Sequence, residues 1–259
     1  MKEPKEEKIV FKNSKDIKLS ARLSNPSENK ENLIVILCHS LGLSKDSRVT
    51  IDLYEKLKEI KISTFRFDFY GHGESDGKFE DITLSEAIDD ILKAVEYLKS
   101  LGYKKIGLFG MSFGGYASLI TASLSKDIIR LGLMSPVSNY LGNIILDRSN
   151  ENIKNWDQIG FIYYTSTLKG KLRLNYGFYQ DSKKYDGWES ARNIKIPVLV
   201  VHGDNDKTVP IEQSRRLCSL LSNRRFKIIK GADHKFSNEE KYKEAIDLFV
   251  KWFKELESS

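Results

Sequence analysis

Cysteine and proline are scarce: two and five residues in a chain of 259. Cys38 and Cys218 are too few for the disulfide framework of a small secreted scaffold, and neither sits in a C-x-x-C pair. Five prolines and 17 glycines exclude a collagen-like or low-complexity chain. No H-x-x-H pair or clustered ligand spacing is present, so neither a metal nor another cofactor is expected. Long apolar runs are missing too. The strongest near the front, Leu33 to Cys38, is far too short to span a bilayer, so no membrane span is expected. Met1 to Lys8 is highly charged and has no apolar h-region, so no signal peptide is expected. A soluble, reducing, cytoplasmic setting fits these absences best.

A strong charge of one sign is also lacking. Forty-two Lys and Arg against 36 Asp and Glu leave a surplus of six, with both signs interspersed. Nucleic acid is therefore not an expected partner. The one local excess runs from Arg215 to Lys235, with seven basic residues against Asp233 alone. It reads as a solvated face; a rim that favours acidic substrates is the sharper alternative. The apolar share, 40%, is ample for a core and argues against disorder.

The apolar pattern alternates strands with helices. Ile9 to Phe11 and Ile17 to Leu23 alternate around Asn13–Asp16, the pattern of a hairpin. Leu33 to Cys38 is a continuous run, as expected of a strand covered on both faces. Ile62 to Phe69, Ile106 to Phe109, Ile128 to Met134, Pro197 to Val201 and Phe226 to Ile229 add further strands. Helical spacing marks Leu53 to Ile60, Leu84 to Leu98, Ala117 to Leu124, Ile211 to Leu221 and Tyr242 to Leu256. Thr83 and Glu86 have the spacing of a capping box. The fold class is α/β: a mainly parallel sheet, helices on both faces. Residues 140–192 break the rhythm and are rich in aromatics. They are assigned to a small inserted cap, with 1–139 and 193–259 as the catalytic domain.

Gly110-Met-Ser-Phe-Gly114 matches G-x-S-x-G between a predicted strand and a predicted helix. That context forms a sharp turn that presents Ser112 as a nucleophile, with the Phe113 N–H at a helix N-terminus ready to hold an oxyanion. A serine needs a base. Of the four histidines, His234 follows the last strand, where an α/β site places its chemistry. His39, His72 and His202 read as structural, holding loops over the sheet edge. The orienting acid should lie between serine and histidine in the chain. His202-Gly-Asp-Asn-Asp206 offers two; Asp206 is favoured, and Asp204 reads as a turn residue. Asp233 is too close to His234 along the chain and reads as a loop hydrogen-bonder. Cys38-His-Ser-Leu-Gly42 supplies the second oxyanion donor, the N–H of Leu41. The plainer reading of that segment is an ordinary turn with Gly42 at positive φ.

With these residues in place, the chain resembles the α/β-hydrolase superfamily over nearly its whole length. Within it, the resemblance is to bacterial cinnamoyl/feruloyl esterase-like carboxylesterases. The carrying motifs are the elbow, Phe69-Tyr-Gly-His-Gly-Glu-Ser-Asp-Gly-Lys-Phe-Glu-Asp81, His202–Asp206 and Gly231-Ala-Asp-His234. The resemblance implies a Ser112–Asp206–His234 triad with Leu41 and Phe113 as oxyanion donors, acting on a small-molecule ester through an acyl-enzyme. Two positions depart from the common pattern. His39-Ser40 stands where His-Gly is usual, and Phe113 replaces a common Gln, which would make the pocket floor more apolar. In the cap, Trp156, Tyr163, Tyr164 and Trp188 are candidates to line an acyl or aryl pocket; the alternative is that they form the cap's own core. Thioesterase, serine aminopeptidase-like hydrolase and monoacylglycerol lipase share such a triad, and a non-catalytic binding protein is the reading from another class. A homodimer is left open.

Overall fold

The computed structural model describes residues 6–139, 153–166 and 168–255. Eight strands form one sheet: β1 (Glu7–Lys12), β2 (Lys18–Ser24), β3 (Leu33–Cys38), β4 (Ser63–Phe67), β5 (Lys105–Met111), β6 (Ile128–Met134), β9 (Val198–Gly203) and β10 (Arg224–Ile229). Their spatial order is β1-β2-β4-β3-β5-β6-β9-β10. β1 and β2 form the expected antiparallel hairpin, β2 meets β4 antiparallel, and all pairs from β4 to β10 are parallel. The parallel strands bring their C-terminal ends, and the loops that follow them, to one edge.

Helices cover both faces, so the central strands read as unbroken apolar runs. β3 shows how. Leu33, Val35 and Leu37 pack with α1 (Arg48–Glu59) and the closing helix α8 (Glu239–Lys254). Ile34, Ile36 and Cys38 face the other core, with α2 (Leu84–Ser100), α3 (Phe113–Leu124) and α7 (Ile211–Leu220). In α2 the expected stripe of Leu84, Ile88, Ile91, Val95 and Leu98 is buried. Each such side chain contributes roughly 1.5–3 kcal/mol by leaving water. The Thr83 hydroxyl accepts the Glu86 N–H at 3.0 Å. Glu86 does not return the bond expected of a capping box; its carboxylate takes Asn13 Nδ2 at 3.0 Å and Lys15 Nζ at 2.6 Å. It thereby ties the β1–β2 turn to α2.

Of the seven basic residues between Arg215 and Lys235, three fall on β10, the last strand of the sheet. Arg224, Arg225 and Lys227 are exposed there. Charged side chains on a sheet edge discourage pairing with another strand.

The first part of the cap assignment, 140–152, lies outside the described residues. The remainder is not an irregular segment. It contains α4 (Ile153–Ile159), an antiparallel hairpin of β7 (Phe161–Ser166) and β8 (Gly170–Asn175), α5 (Gly177–Ser182) and α6 (Gly187–Asn193). β7 alternates as a half-covered strand should: Ile162, Tyr164 and Ser166 are buried, Tyr163 and Thr165 exposed. Asp181 at the end of α5 accepts both the N–H and the hydroxyl of Ser85, each at 2.7 Å, and so caps the first turn of α2. α6 packs against α3 and α7 of the main body. Among the described residues no helix is long and apolar enough to cross a membrane.

Candidate active site

The elbow between β5 and α3 places Ser112 at φ 53°, ψ −112°. A non-glycine residue there costs about 1–3 kcal/mol and persists only where its surroundings hold it. Here Ser112 N–H donates to Met134 O at 3.0 Å, and Ser112 O accepts from Tyr116 at 3.0 Å and Val137 at 3.2 Å. The flanking glycines are steric necessities. A Cβ at Gly110 would strike the Gly114 carbonyl, and one at Gly114 would strike the carbonyls of His39 and Cys38.

His234, in the loop after β10, sets Nε2 3.1 Å from Ser112 Oγ and Nδ1 2.7 Å from Asp206 Oδ2. Asp206 lies in the loop after β9. Its Oδ1 accepts the N–H groups of Thr208 and Val209, both at 2.8 Å. Burial pushes this carboxyl up, but the hydrogen bonds from His202 and His234 outweigh burial and hold it well below the usual carboxylate range. Asp204 is turned elsewhere and accepts the Gly231 N–H. Asp233 accepts the Ser237 N–H and hydroxyl, each at 2.7 Å. Of the three aspartates, Asp206 is the one brought to His234.

The segment Cys38–Gly42 passes beside the elbow. Gly42 takes φ +69°. Its N–H donates to His72 Nε2 at 3.1 Å, and Leu43 N–H donates to Ser40 O at 3.1 Å. The Leu41 N–H, one residue before Gly42, meets no acceptor among the described residues. Phe113 is the first residue of α3, so its N–H lies outside the helical ladder as well. Ser40, the departure from His-Gly, donates its hydroxyl to Met111 O at 3.3 Å and so bridges the turn to the elbow strand.

Buried neutral histidines support this turn. His72 Nδ1 donates to Tyr70 O at 2.9 Å, and His39 Nδ1 donates to Ser40 O at 2.8 Å. His39 Nε2 accepts the Phe69 N–H at 3.1 Å. Burial pushes His39 down to about 4; burial, joined by the adjacent His39, pushes His72 down to about 3. Phe69–Asp81, the longest motif of the resemblance, therefore underpins the turn and contributes no wall to the cavity.

A cavity of about 430 Å³ opens at Ser112, lined in part by Leu41, Met111, Tyr164, His234, Arg48 and Lys235. Its size suits a small molecule. Of the four cap aromatics expected there, Tyr164 alone lines it. Trp156 is 1% exposed and packs on Tyr176 and Tyr179 within the cap. Tyr163 points outward, 45% exposed, because neighbouring strand residues face opposite ways. Trp188, on α6, lies under the Arg216 guanidinium, 3.7 Å from its ring centroid. For these three the pocket expectation is corrected. The Phe113 side chain is not the pocket floor either; it is buried against Phe69, His72 and Phe178.

Two features of the site escaped sequence reasoning. Tyr164 OH donates to Leu41 O at 3.1 Å and Ser166 Oγ to Gly42 O at 2.7 Å, strapping the cap hairpin onto the turn. His202, expected to hold a loop, sets Nε2 3.1 Å from Asp206 Oδ2. The alternation of Tyr164 with Ser166 was the signal for the first; nothing in the sequence marked the second.

This architecture agrees with known proteins. The model of the prolyl oligopeptidase family matches residues 68–258. The chain belongs to the prolyl oligopeptidase family. It is a hydrolase with the α/β-hydrolase fold. Among solved structures similar to it is Est1E from Butyrivibrio proteoclasticus with ferulic acid bound. That likeness covers 96% of this chain and 97% of the other, at 27% identity and a TM-score of 0.79. The esterase domain of a Rhodothermus marinus protein matches at 20% identity and a TM-score of 0.73, over 96% of this chain and 97% of that one; this likeness shows the fold alone. An uncharacterized 31.7 kDa protein in the traX-finO intergenic region of Escherichia coli is 23% identical over 255 residues, 85% of this chain and 88% of its own.

Proposed function

We propose that this family member is a serine carboxylesterase that cleaves small-molecule esters through an acyl-enzyme. The observation that carries the reading is the hydrogen-bonded sequence Ser112 Oγ, His234, Asp206 at the wall of the cavity. His234 takes the Ser112 proton as the oxygen attacks the ester carbonyl. Asp206 fixes the imidazole with Nδ1 protonated and stabilises the imidazolium that forms. The N–H groups of Leu41 and Phe113 hold the oxyanion. His234 then protonates the leaving alcohol, and water repeats the cycle on the acyl-Ser112 ester. Each proposed acid, base, nucleophile and oxyanion donor in this sequence is a side chain or backbone N–H of the chain.

The acyl group is of the feruloyl or short-chain type. Ferulic acid bound to Est1E supports this, as does a cavity of small-molecule size with Tyr164 in its wall. Residues 140–192 act as a cap on the catalytic domain formed by 1–139 and 193–259. Tyr164 and Ser166 support that role through their bonds to the oxyanion turn.

Labelling with a fluorophosphonate tests the reading: the wild type should carry one label, on Ser112, and Ser112→Ala none. Equal labelling of both proteins overturns it. The family's name favours amide cleavage as a second reading. Feruloyl and p-nitrophenyl esters, acyl-CoA and aminoacyl amides compared side by side separate the two; turnover of the amides alone would make the protein a peptidase.

A further inference from the structure

The unexpected neighbour of the acid is His202. Its ring is fully buried at the end of β9. Nε2 faces two acceptors, Asp206 Oδ2 at 3.1 Å and Val209 O at 2.9 Å. An unprotonated nitrogen between two oxygens would be repelled by both, so Nε2 carries the proton. Nδ1 then accepts from Ser214 Oγ at 2.7 Å, a serine that α7 buries completely beneath the ring. His39 and His72 hold the opposite tautomer, since in both Nδ1 faces a carbonyl oxygen and Nε2 faces a backbone N–H.

The Asp206 carboxylate therefore receives four N–H groups. Thr208 and Val209 share Oδ1, while His202 and His234 share Oδ2. The two backbone donors and His202 belong to the loop and strand of Asp206 itself, so they set its plane whatever His234 does. His202 also draws charge from the same oxygen that His234 uses. A carboxylate oxygen that already accepts one N–H is a weaker acceptor for the second, and stabilises a neighbouring imidazolium less.

We propose that His202 is a positioning residue of the esterase: its Nε2–H locks the Asp206 carboxylate and tempers the negative charge that this carboxylate presents to His234. The inference rests on the triad reading above. Other ionisable groups near the pair are Asp233 and Lys235 on the His234 loop and Arg48 of α1 across the cavity. None of them donates a hydrogen bond to Asp206 among the described residues, so His202 alone shares Oδ2 with the base.

The test is the pH profile of kcat/KM on p-nitrophenyl butyrate, whose acid limb reports the free base. In His202→Leu the limb should move up by about one pH unit, the worth of one hydrogen bond to a charged acceptor. KM should stay within about twofold, because His202 touches no part of the cavity. In His202→Gln, where an amide N–H can return to Oδ2, the limb should fall between the two. A folded His202→Leu with the wild-type limb overturns the proposal, since a merely structural role lowers kcat without moving it.

Histidine ¹⁵N spectra of the wild type decide the matter if His202→Leu does not fold. His202 should hold the Nε2–H tautomer, opposite to His39 and His72, and its N–H resonance should shift across the acid limb of the kcat/KM profile. An Nδ1–H tautomer, or a resonance that does not move across that limb, overturns the proposal. A failure of the esterase reading would show separately, as a Ser112 that takes no fluorophosphonate.

Discussion

The proposed acid–base side of the site and its proposed oxyanion side are held by different parts of the molecule. Asp206 and His234 sit on loops at the ends of β9 and β10, and every partner of the Asp206 carboxylate comes from those same loops and from β9. The oxyanion turn is held from two directions. His72 holds its Gly42 N–H from beneath, while Tyr164 and Ser166 of the cap hairpin take the carbonyls of Leu41 and Gly42. The difference teaches that the proposed cap would be more than a wall for substrate. A change in its hairpin reaches the proposed oxyanion donors directly, whereas one in α6 reaches Asp206 more remotely, through α7 and the Ser214 beneath His202.

Removing the proposed nucleophile should erase both sides at once. Ser112→Ala is expected to lose about 10⁴–10⁶ in kcat. Residual ester turnover within tenfold of wild type would mean that neither side serves Ser112.

On the acid–base side, Asp206→Asn should lose about 10³–10⁴ in kcat, because the imidazole loses its fixed tautomer and its counter-charge. Asp204→Asn should stay within about threefold. Steady-state kinetics of both variants check this, and the reverse ranking would transfer the orienting role to Asp204.

The cap side should respond more mildly and in a different parameter. Tyr164→Phe, which keeps the ring and removes the bond to Leu41 O, should lower kcat about 3- to 10-fold with little change in KM, the worth of one hydrogen bond. A rise in KM alone would make Tyr164 only a wall of the cavity. Trp156→Ala should leave the KM of folded enzyme unchanged and cost about 3–5 kcal/mol of stability, since it empties the cap's own core. Denaturant titration and kinetics on the same sample separate the two effects.

The smallest expected effect concerns the histidines under the turn. His39 and His72 stay neutral in the fold down to about pH 4 and about pH 3, while in the unfolded chain they take up protons near pH 6.5. Between those values the unfolded state binds more protons, so their contribution to stability falls as the pH falls. Asp90 works in the opposite sense. Burial pushes its carboxyl up to about 7, so between about pH 7 and pH 4 the fold binds its proton more tightly and gains stability as the pH falls. Removing one histidine should therefore flatten the acid loss. His72→Gln is expected to lose less Tm between pH 7 and pH 5 than wild type, and an equal loss in both would exclude His72 as a source of acid sensitivity.

The sequence by itself determined the α/β order and the elbow at Ser112, and it singled out His234 and Asp206 as the base and acid now proposed. These are local matters. Unbroken apolar runs mark strands covered on both faces, a glycine on each side of a serine marks a turn with no room for Cβ, and a histidine after the last strand must emerge at the sheet's C-terminal edge. The same reasoning failed wherever a role depends on which surfaces meet. Tyr163 and Tyr164 are adjacent in the chain, yet one faces water and the other the cavity, because the register of β7 on β8 and its seat on the oxyanion turn choose the inward face. Trp156 is as aromatic as any pocket residue but is spent on the cap's core. His202 ends its strand just as His39 does, and only the path of the loop between β9 and α7 brings Asp206 back over its ring. Tertiary structure decided these because a side chain's task is set by the neighbours that packing brings to it, and those neighbours are distant in sequence or lie across a turn whose course no local pattern encodes.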